Sequence, residues 1–408
     1  MNDCFLKIAV VAGEESGDLL GADLISCLAQ QTGCNIHLIG VGGRHLKALG
    51  LESFFDSHDI ALIGLGAVLK KLPSLLRHIR NLSKFLAQEQ PDCLILIDSP
   101  DFTHRVAKKV RALAPSIPIV KYVAPTVWAW RPERAKAMHK FVDHVLAIFP
   151  FEEKVMKDLG GPATTYVGHR LLTYPPLLTV QSEKKRLLGK KDFSLKHASS
   201  PTLVILPGSR NSEIRSLMPI FREAVKILAQ QIPHLHIILP TLPHLENEIR
   251  DFVQGWTSKV EIVVGEEEKW RAFTEADVAL AALGTVSLEL ALAKIPMVLC
   301  YKLDFFSKFF LFPKITLWTA ALPNIISDKA IVPEYFNEFL RPGMLARQIE
   351  QLLYNPLLRQ AQLEAFEVVK QKMKTTMPSG VVAAQTIINI LKEKLGHLKL
   401  CECDNMDD

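Results

Sequence analysis

Residues 93–102 read Cys-Leu-Ile-Leu-Ile-Asp-Ser-Pro-Asp-Phe, a continuous apolar run that ends in a carboxylate and a turn. A short apolar run bounded by turn-forming residues is typical of a strand buried on both faces of a parallel sheet. The Ser99–Phe102 turn then leads towards a helix. The stretch therefore predicts a strand–loop–helix unit with Asp98 at the carboxyl end of its strand.

The same pattern recurs on both sides of this stretch. Further strands are predicted at Lys7–Ala12, Asn35–Gly40 and Ile117–Val123, with helical patterns at Leu19–Gln30 and Ser74–Ala87 between them. Strands that alternate with helices indicate an α/β fold with a doubly wound parallel sheet.

The series restarts after a polar connection rich in proline and lysine, at about residues 171–201. Five more strands are predicted, at Thr202–Leu206, His236–Leu239, Val260–Val264, Val278–Ala281 and Met297–Tyr301. We therefore expect two facing Rossmann-like domains, at residues 1–170 and 171–345, followed by C-terminal helices at 346–408. Ligands of such sheets bind at the carboxyl ends of the strands.

Composition excludes several classes of protein. The chain has 408 residues, 49% of them hydrophobic and 22% charged, which excludes a disordered chain and a small disulfide scaffold. A net charge of +5 is too small to argue for nucleic-acid binding. No uninterrupted apolar run reaches the ~18 residues of a membrane-spanning helix, so a soluble or peripheral protein is expected. No Cys-x-x-Cys pair occurs, which predicts no zinc site.

An acidic loop, Ala12–Asp18, follows the first strand. It lacks the glycine fingerprint of dinucleotide-binding folds, and the carboxylates of Glu14, Glu15 and Asp18 would repel a pyrophosphate. They could accept hydrogen bonds from sugar hydroxyls. The alternative is a tight turn whose acidic residues complement the positive end of a helix.

Asp98 is the strongest candidate for a catalytic group. A carboxylate at the carboxyl edge of a sheet suits a general base that takes a proton from a hydroxyl. The alternative is an N-cap of the next helix, a role that Asp101 could equally fill. Beyond the fourth strand, Trp128, Trp130 and Arg131 suit either sugar stacking with a phosphate or core packing.

The second half contains two strand-to-helix loops that suit a diphosphate. Gly208 permits close backbone approach, and Arg210 adds a cation at a helix start. Gly284 and Thr285 could donate a backbone N–H and a hydroxyl. Two more candidates complete this set. Glu289 could bind a ribose or form an internal ion pair. Asn324 is a candidate for ligand binding only if it faces the cleft.

Positive charge is concentrated in one part of the chain. Residues 60–88 contain no Asp or Glu, and their basic residues are Lys70, Lys71, Arg77, Arg80 and Lys84. A basic stretch with an apolar side predicts a membrane-surface contact, or else a core helix with a solvated basic side. Phe305–Phe312 is a second aromatic and basic stretch.

The ordered set of motifs resembles the lipid-A-disaccharide synthase family. The motifs are AGEESGDLLGA, GVGG, PDCLILIDSPDF, VAPTVWAWRP, FPFE, VGH, LPGSRNSEI, LGTVSLE, and LPNIIS followed by VPE, between about Val10 and Pro333. Three positions depart from the usual family pattern: Glu15, Arg170 and Leu283.

The resemblance implies a GT-B glycosyltransferase that joins UDP-2,3-diacylglucosamine to 2,3-diacylglucosamine 1-phosphate by an inverting β(1→6) transfer. It implies UDP as leaving group, no metal or other cofactor, and a peripheral position on the cytoplasmic face of the inner membrane. It also implies that the C-terminal helices cross back or are exchanged within a homodimer. The implied site residues are Asp98 as base, Glu14, Ser16 and Asp18 on the acceptor side, and Gly208, Arg210, Gly284, Thr285, Glu289 and Asn324 for UDP.

Three other functions fit parts of the sequence. A UDP-sugar epimerase or a different GT-B transferase would share the second-half site. A nicotinamide dehydrogenase would need the missing glycine fingerprint. A non-catalytic membrane-binding protein would need only the basic stretch.

Overall fold

The structure is a computed structural model that describes residues 5–57, 60, 68–188, 200–303 and 317–395. The chain forms two compact units. The first unit comprises Met1–Arg170 together with Thr375–Asp408, and the second comprises Leu171–Lys374.

The first unit is built on a parallel six-stranded sheet in the order β2-β1-β3-β4-β5-β6. Its strands are β1 (Phe5–Ala12), β2 (Asn35–Val41), β3 (Cys93–Ile97), β4 (Ile119–Tyr122), β5 (His144–Ala147) and β6 (Ala163–Tyr166). The central strand β3 is fully buried, as its uninterrupted apolar sequence predicts.

Helices cover both faces of this sheet. They are α1 (Glu15–Thr32), α2 (Arg44–Ala48), α3 (Val68–Glu89), α4 (Pro100–Leu113), α5 (Glu133–Met138), α6 (Glu152–Asp158) and, after the second unit, α15 (Ser379–Leu395). The last helix packs on α1, because Ala383, Ala384, Ile387 and Leu391 recur at helical spacing and enter the same core as Leu24.

The second unit repeats the architecture with a parallel sheet in the order β12-β11-β10-β7-β8-β9. Its strands are β7 (Thr202–Leu206), β8 (His236–Thr241), β9 (Val260–Val264), β10 (Val278–Ala282), β11 (Met297–Tyr301) and β12 (Glu334–Phe336). Its helices are α7 (Pro175–Leu188), α8 (Asn211–Gln231), α9 (Glu246–Val253), α10 (Glu266–Glu275), α11 (Val286–Leu292), α12 (Leu322–Ser327), α13 (Pro342–Tyr354) and α14 (Pro356–Met373). The predicted α/β fold of two Rossmann-like domains is confirmed.

Each sheet has one position at which the strand order reverses. In the first unit the chain goes from β1 to β2 on one side and then to β3 on the other, so the loops after β1 and β3 diverge. In the second unit the same reversal separates β7 from β10. Such reversals open a crevice beyond the carboxyl ends of the two strands, where ligands of this fold class bind.

Three strands were not predicted. They are β5, then β6, which reads Ala-Thr-Thr-Tyr and is not apolar enough to indicate a strand, and β12. The three-residue β12 lies at the edge of its sheet. Over the parts of the chain that are described, no helix combines the length and apolarity needed to cross a bilayer.

Candidate functional site

The reversal point of the first sheet brings Asp98 next to the loop that follows β1. Ala12 pairs with Ile97, so Gly13 and Asp98 leave adjacent strands at the same level. The two loops are close, since a Cβ added to Gly13 would lie 3.2 Å from Ser99 Oγ. Asp98 is half-buried, and no described residue donates a hydrogen bond to its carboxylate.

The N-cap alternative for Asp98 is not what the structure shows. The N-cap of α4 is Ser99, and no side-chain cap bond is present there. Asp101 instead pairs with Arg134, at 3.2 Å. Both Asp98 and Ser99 have left-handed backbone conformations, with φ of 48° and 39°, which L-residues adopt only at a cost. Strain of this kind is concentrated at functional sites.

Glu14 and Ser16 lie at the start of α1, on the same edge of the sheet as Asp98. Both residues are exposed. Glu15 points to a different partner, because its carboxylate forms an exposed ion pair with Arg44 at 2.5 Å. Glu14 and Ser16 stay candidates for the acceptor side.

Asp18, the third acceptor-side candidate, is buried and already has backbone partners. Only 2% of it is exposed, and its carboxylate accepts backbone hydrogen bonds from Gly43 (2.6 Å), His45 (2.7 Å) and Leu46 (3.3 Å). The carboxylate therefore satisfies the free N–H groups at the start of α2 and joins the first-strand loop to the Gly-Val-Gly-Gly loop. A sugar hydroxyl would have to compete with these bonds. We therefore expect Asp18 to hold the two loops together and not to contact the acceptor directly.

Asp18→Ala is expected to destabilise the first unit by about 2–3 kcal/mol, because buried N–H groups lose a charged acceptor. This corresponds to a fall of roughly 4–12 °C in the midpoint of that unit's thermal transition, measured by calorimetry. The matched control is Glu15→Ala, which removes an exposed ion pair and should cost less than about 1 kcal/mol. Equal effects of the two variants would contradict the capping role of Asp18.

Trp128 and Trp130, in the motif that follows the fourth strand, have different surroundings. Trp128 Nε1 donates to the carboxylate of Glu152 at 3.2 Å, and the Trp128 ring meets Phe151 edge-on at 5.3 Å between centroids. Trp128 is thus held by internal contacts. The Arg131 guanidinium is exposed and stacks over the Trp130 ring at 5.0 Å, which leaves this pair able to contact a ligand.

Glu152, in the Phe-Pro-Phe-Glu motif, supports that arrangement. It is 1% exposed and also accepts the backbone N–H groups of Ile148 (3.1 Å) and Phe149 (3.0 Å). Burial raises the pKa of the Glu152 carboxyl to about 7, while these hydrogen bonds act in the opposite direction. The sequence motif drew attention to this position, but it did not predict that Glu152 holds Trp128.

The reversal point of the second sheet brings together the loops after β7 and β10, because Leu206 pairs with Ala281. Gly208 has φ of +116°, and a Cβ there would lie 2.4 Å from Glu213 Oε2. Glu213 folds back over this loop, accepting the Ser209 N–H at 3.1 Å and pairing with Arg210 at 3.0 Å. The Arg210 side chain is 67% exposed, and Glu213 holds one terminal nitrogen of its guanidinium.

Gly284 and Thr285 complete this edge. Both are exposed, and a Cβ placed on Gly284 would meet no described atom within 4 Å. The loop is fixed from within, because Ser287 Oγ donates to the Gly284 carbonyl at 2.7 Å. Gly208, Arg210, Gly284 and Thr285 therefore border one crevice at the carboxyl edge of the second sheet.

Glu289 takes part in an internal ion pair, which was one of its two interpretations. Its carboxylate lies 2.9 Å from Lys269 Nζ, and both side chains are 18% exposed. Burial raises the pKa of Glu289, and the Lys269 charge offsets part of that effect. Lys269 was missed by sequence reasoning because it lies on another helix, twenty positions away, and no local pattern links the two.

Asn324, the last UDP-side candidate, is also buried among internal partners. It is 1% exposed, its amide N–H groups bond to Thr319 (3.1 Å), Val332 (3.0 Å) and Glu334 (3.0 Å), and its carbonyl accepts from Ile331 and Val332. These contacts use the full bonding capacity of the amide. Asn324 therefore positions the loop 328–334, and its side chain has no group left for UDP.

The basic stretch is described only in part. Arg77 and Arg80 are exposed on α3, while Ile79 and Leu82 on the same helix are buried. The described portion thus has an apolar inner side and a basic outer side. The side chains of Lys70 and Lys71, and the segment Phe305–Phe312, lie outside the described residues.

Comparison with known proteins gives matches to one enzyme family over nearly the whole chain. The family model described as lipid-A-disaccharide synthetase matches residues 8–385. A lipid-A-disaccharide synthase of Nitrobacter winogradskyi is 42% identical over 388 residues, covering 95% of this chain and 96% of the relative. One of Rhodopseudomonas palustris is 44% identical over 382 residues, covering 94% of each.

Solved structures with low sequence identity share the fold. A UDP complex of Staphylococcus aureus MnaA matches with a TM-score of 0.60 and 12% identity, over 96% of this chain and 98% of its own. Acinetobacter baumannii MurG matches with a TM-score of 0.55 and 15% identity, over 96% and 99%. The predicted GT-B-like fold of two α/β domains is therefore confirmed.

Proposed function

The chain belongs to the lipid-A-disaccharide synthase family, and we propose that it joins UDP-2,3-diacylglucosamine to 2,3-diacylglucosamine 1-phosphate in lipid A biosynthesis. The product is a β(1→6)-linked disaccharide 1-phosphate, and UDP is released. The observation that supports this proposal is that Asp98 follows β3 at the reversal point of the first sheet, while Gly208, Arg210, Gly284 and Thr285 follow β7 and β10 at that of the second.

The second unit binds the UDP part of the donor. The diphosphate lies against the Gly208 loop and the start of α8, where free backbone N–H groups and the Arg210 guanidinium offset its charge. Thr285 donates its hydroxyl to the same group. These groups also stabilise the charge that develops on UDP as the sugar–phosphate bond breaks.

Glu289 stays a candidate for the ribose hydroxyls, with one clear constraint from the structure. Lys269 holds one of its oxygens, so a ribose would bind a carboxylate whose orientation is already fixed. Such an arrangement lowers the ordering cost of recognition.

The first unit supplies the base. Asp98 takes the proton of the acceptor 6-hydroxyl as that oxygen attacks the anomeric carbon of the donor. The new C–O bond forms on the face opposite the departing diphosphate, which keeps the bonding electron pair, so the anomeric centre inverts. Glu14 and Ser16, on the same edge, orient the acceptor by accepting hydrogen bonds from its hydroxyls.

The test is UDP release by the purified chain with both substrates present. We expect release that depends on adding the acceptor as well as the donor. Change of the donor sugar without an acceptor would favour an epimerase, and no turnover by correctly folded protein would favour a non-catalytic membrane-binding protein. Either result would overturn the proposed function.

We propose further that α3 contacts an anionic lipid surface through its outer side. Arg77, Arg80 and Lys84 are exposed along this helix, and Leu76 beside them is 45% exposed. Each basic residue near an anionic surface contributes about 1 kcal/mol of attraction. Acylated substrates make a peripheral position on the membrane advantageous.

The double variant Arg77→Glu with Arg80→Glu is expected to bind vesicles of anionic phospholipid at least ~10-fold more weakly, in a sedimentation assay. The matched control reverses two exposed cations on α8, Arg222→Glu with Lys226→Glu, with the same change of net charge. A similar loss in both variants would indicate a general charge effect and contradict a membrane contact through α3.

A further inference from the structure

Beneath Asp98 lies a buried cation that the proposed reaction does not use. Lys121 is the third residue of β4, the strand next to β3, and it is 0% exposed. Its ammonium donates hydrogen bonds to the backbone carbonyl of Asp98 and to Thr103 Oγ1, the latter at 3.3 Å. It therefore contacts the main chain of the residue that carries the proposed base.

The second donor to this carbonyl comes from α4. Thr103 Oγ1 lies 2.8 Å from the Asp98 carbonyl and 3.0 Å from the Ser99 carbonyl. On the other side of the turn, the Asp98 N–H donates to the Tyr122 carbonyl at 3.1 Å. Both backbone polar groups of Asp98 are thus hydrogen-bonded. Its N–H donates to β4, and its carbonyl accepts from Lys121 on β4 and from Thr103 on α4.

These bonds coincide with two consecutive left-handed residues. Each such residue costs about 1–3 kcal/mol, and the conformation persists only where surrounding contacts determine it. Without the Lys121 and Thr103 bonds, the turn would relax towards an ordinary conformation. The Asp98 carboxylate would then no longer point towards the acceptor hydroxyl.

Stability alone gives no reason for a lysine at this position. Taking an ammonium out of water is costly, and an apolar side chain of similar size is often at least as stable. Burial lowers the pKa of Lys121 to about 7, and the nearby Asp98 carboxylate acts in the opposite direction. His104, on the adjacent helix, also has its pKa lowered by burial and by the Lys121 charge.

We infer that Lys121 is a positioning residue for the transfer reaction, which holds the strained Asp98–Ser99 turn so that the Asp98 carboxylate faces the acceptor hydroxyl. The inference rests on the proposed function, because it assigns Asp98 the role of base. Lys121 itself contacts neither substrate.

The test compares Lys121→Met with the wild type in the disaccharide-forming assay. We expect kcat to fall about 10- to 100-fold, since a displacement of about 1 Å costs that much, while both KM values and the UDP affinity stay within twofold. We also expect a thermal midpoint no lower than that of the wild type, because the buried charge is gone. If Lys121 were only a structural residue, Lys121→Met would lower the thermal midpoint and kcat together.

A second pair of variants tests the same bond from α4. Thr103→Val removes the other donor to the Asp98 carbonyl and should lower kcat in the same way, whereas Thr103→Ser keeps the hydroxyl and should restore it. Wild-type kcat in Lys121→Met, or a fall in kcat matched by a lower midpoint, would overturn the inference. Asp98→Asn separates the two claims: if it is inactive while Lys121→Met is fully active, only the inference fails. Activity retained in Asp98→Asn overturns both.

Discussion

Asp98→Asn is expected to lower kcat by about 10³-fold and to leave the affinity for UDP within twofold of the wild-type value. The substitution keeps the size of the side chain but removes the group that accepts the proton. No described residue bonds to the carboxylate, so the variant should fold normally. In the proposed mechanism UDP binds the other unit, which this change does not touch. Rapid quenching with chromatographic detection of the disaccharide measures kcat, and calorimetry measures UDP binding.

The matched control is Asp101→Asn, three residues further on. Its carboxylate is 73% exposed and pairs with Arg134, so it loses only a surface ion pair. We expect its kcat to stay within about twofold of the wild type. If Asp98→Asn keeps more than a tenth of the wild-type kcat, Asp98 is not the base.

Arg210→Met is expected to weaken UDP binding about 10- to 100-fold, as the loss of a charged hydrogen bond to a diphosphate predicts. The effect has two sources. The variant loses the exposed guanidinium, and it leaves Glu213, 15% exposed and previously paired with Arg210, as an uncompensated negative charge beside the diphosphate. The kcat/KM should fall further than the affinity, because charge on the leaving group grows in the transition state.

Arg215→Met is the control on the same helix. Arg215 is 69% exposed, much as Arg210 is, but its partner is Glu248 at 2.7 Å and it lies outside the Gly208 loop. We expect UDP affinity within about twofold of the wild type. An equal loss in Arg210→Met and Arg215→Met would show that only the general positive charge of α8 matters, and would contradict a specific contact from Arg210.

The fold was predictable because its central strands carry their own signal. Cys93–Ile97 and Thr202–Leu206 are buried on both faces, so their apolar residues are continuous and their ends are marked by turns. The edge strand β6 gave no such signal, because its residues are all at least partly exposed. The apolar content of a strand therefore decided whether it was recognised.

The position of a candidate residue was predictable where it depends on the end of its own strand. Asp98, Gly208 and Arg210 follow carboxyl ends of strands, and the topology then places them at the two reversal points. The hydrogen-bond partners of Asp18 and Asn324 were not predictable, because they come from other loops, which one sequence does not reveal. Lys121 gave only a weak signal, one cation inside an apolar strand, and its contact with Asp98 required the folded sheet.

The most direct test of the proposed reaction is the anomeric configuration of the disaccharide that the purified chain makes, determined by NMR. We predict a single β(1→6) product, formed only when donor and acceptor are both present and accompanied by UDP. A product with an α linkage would contradict single-step attack assisted by Asp98. UDP release with no disaccharide at all would contradict the proposed transferase activity.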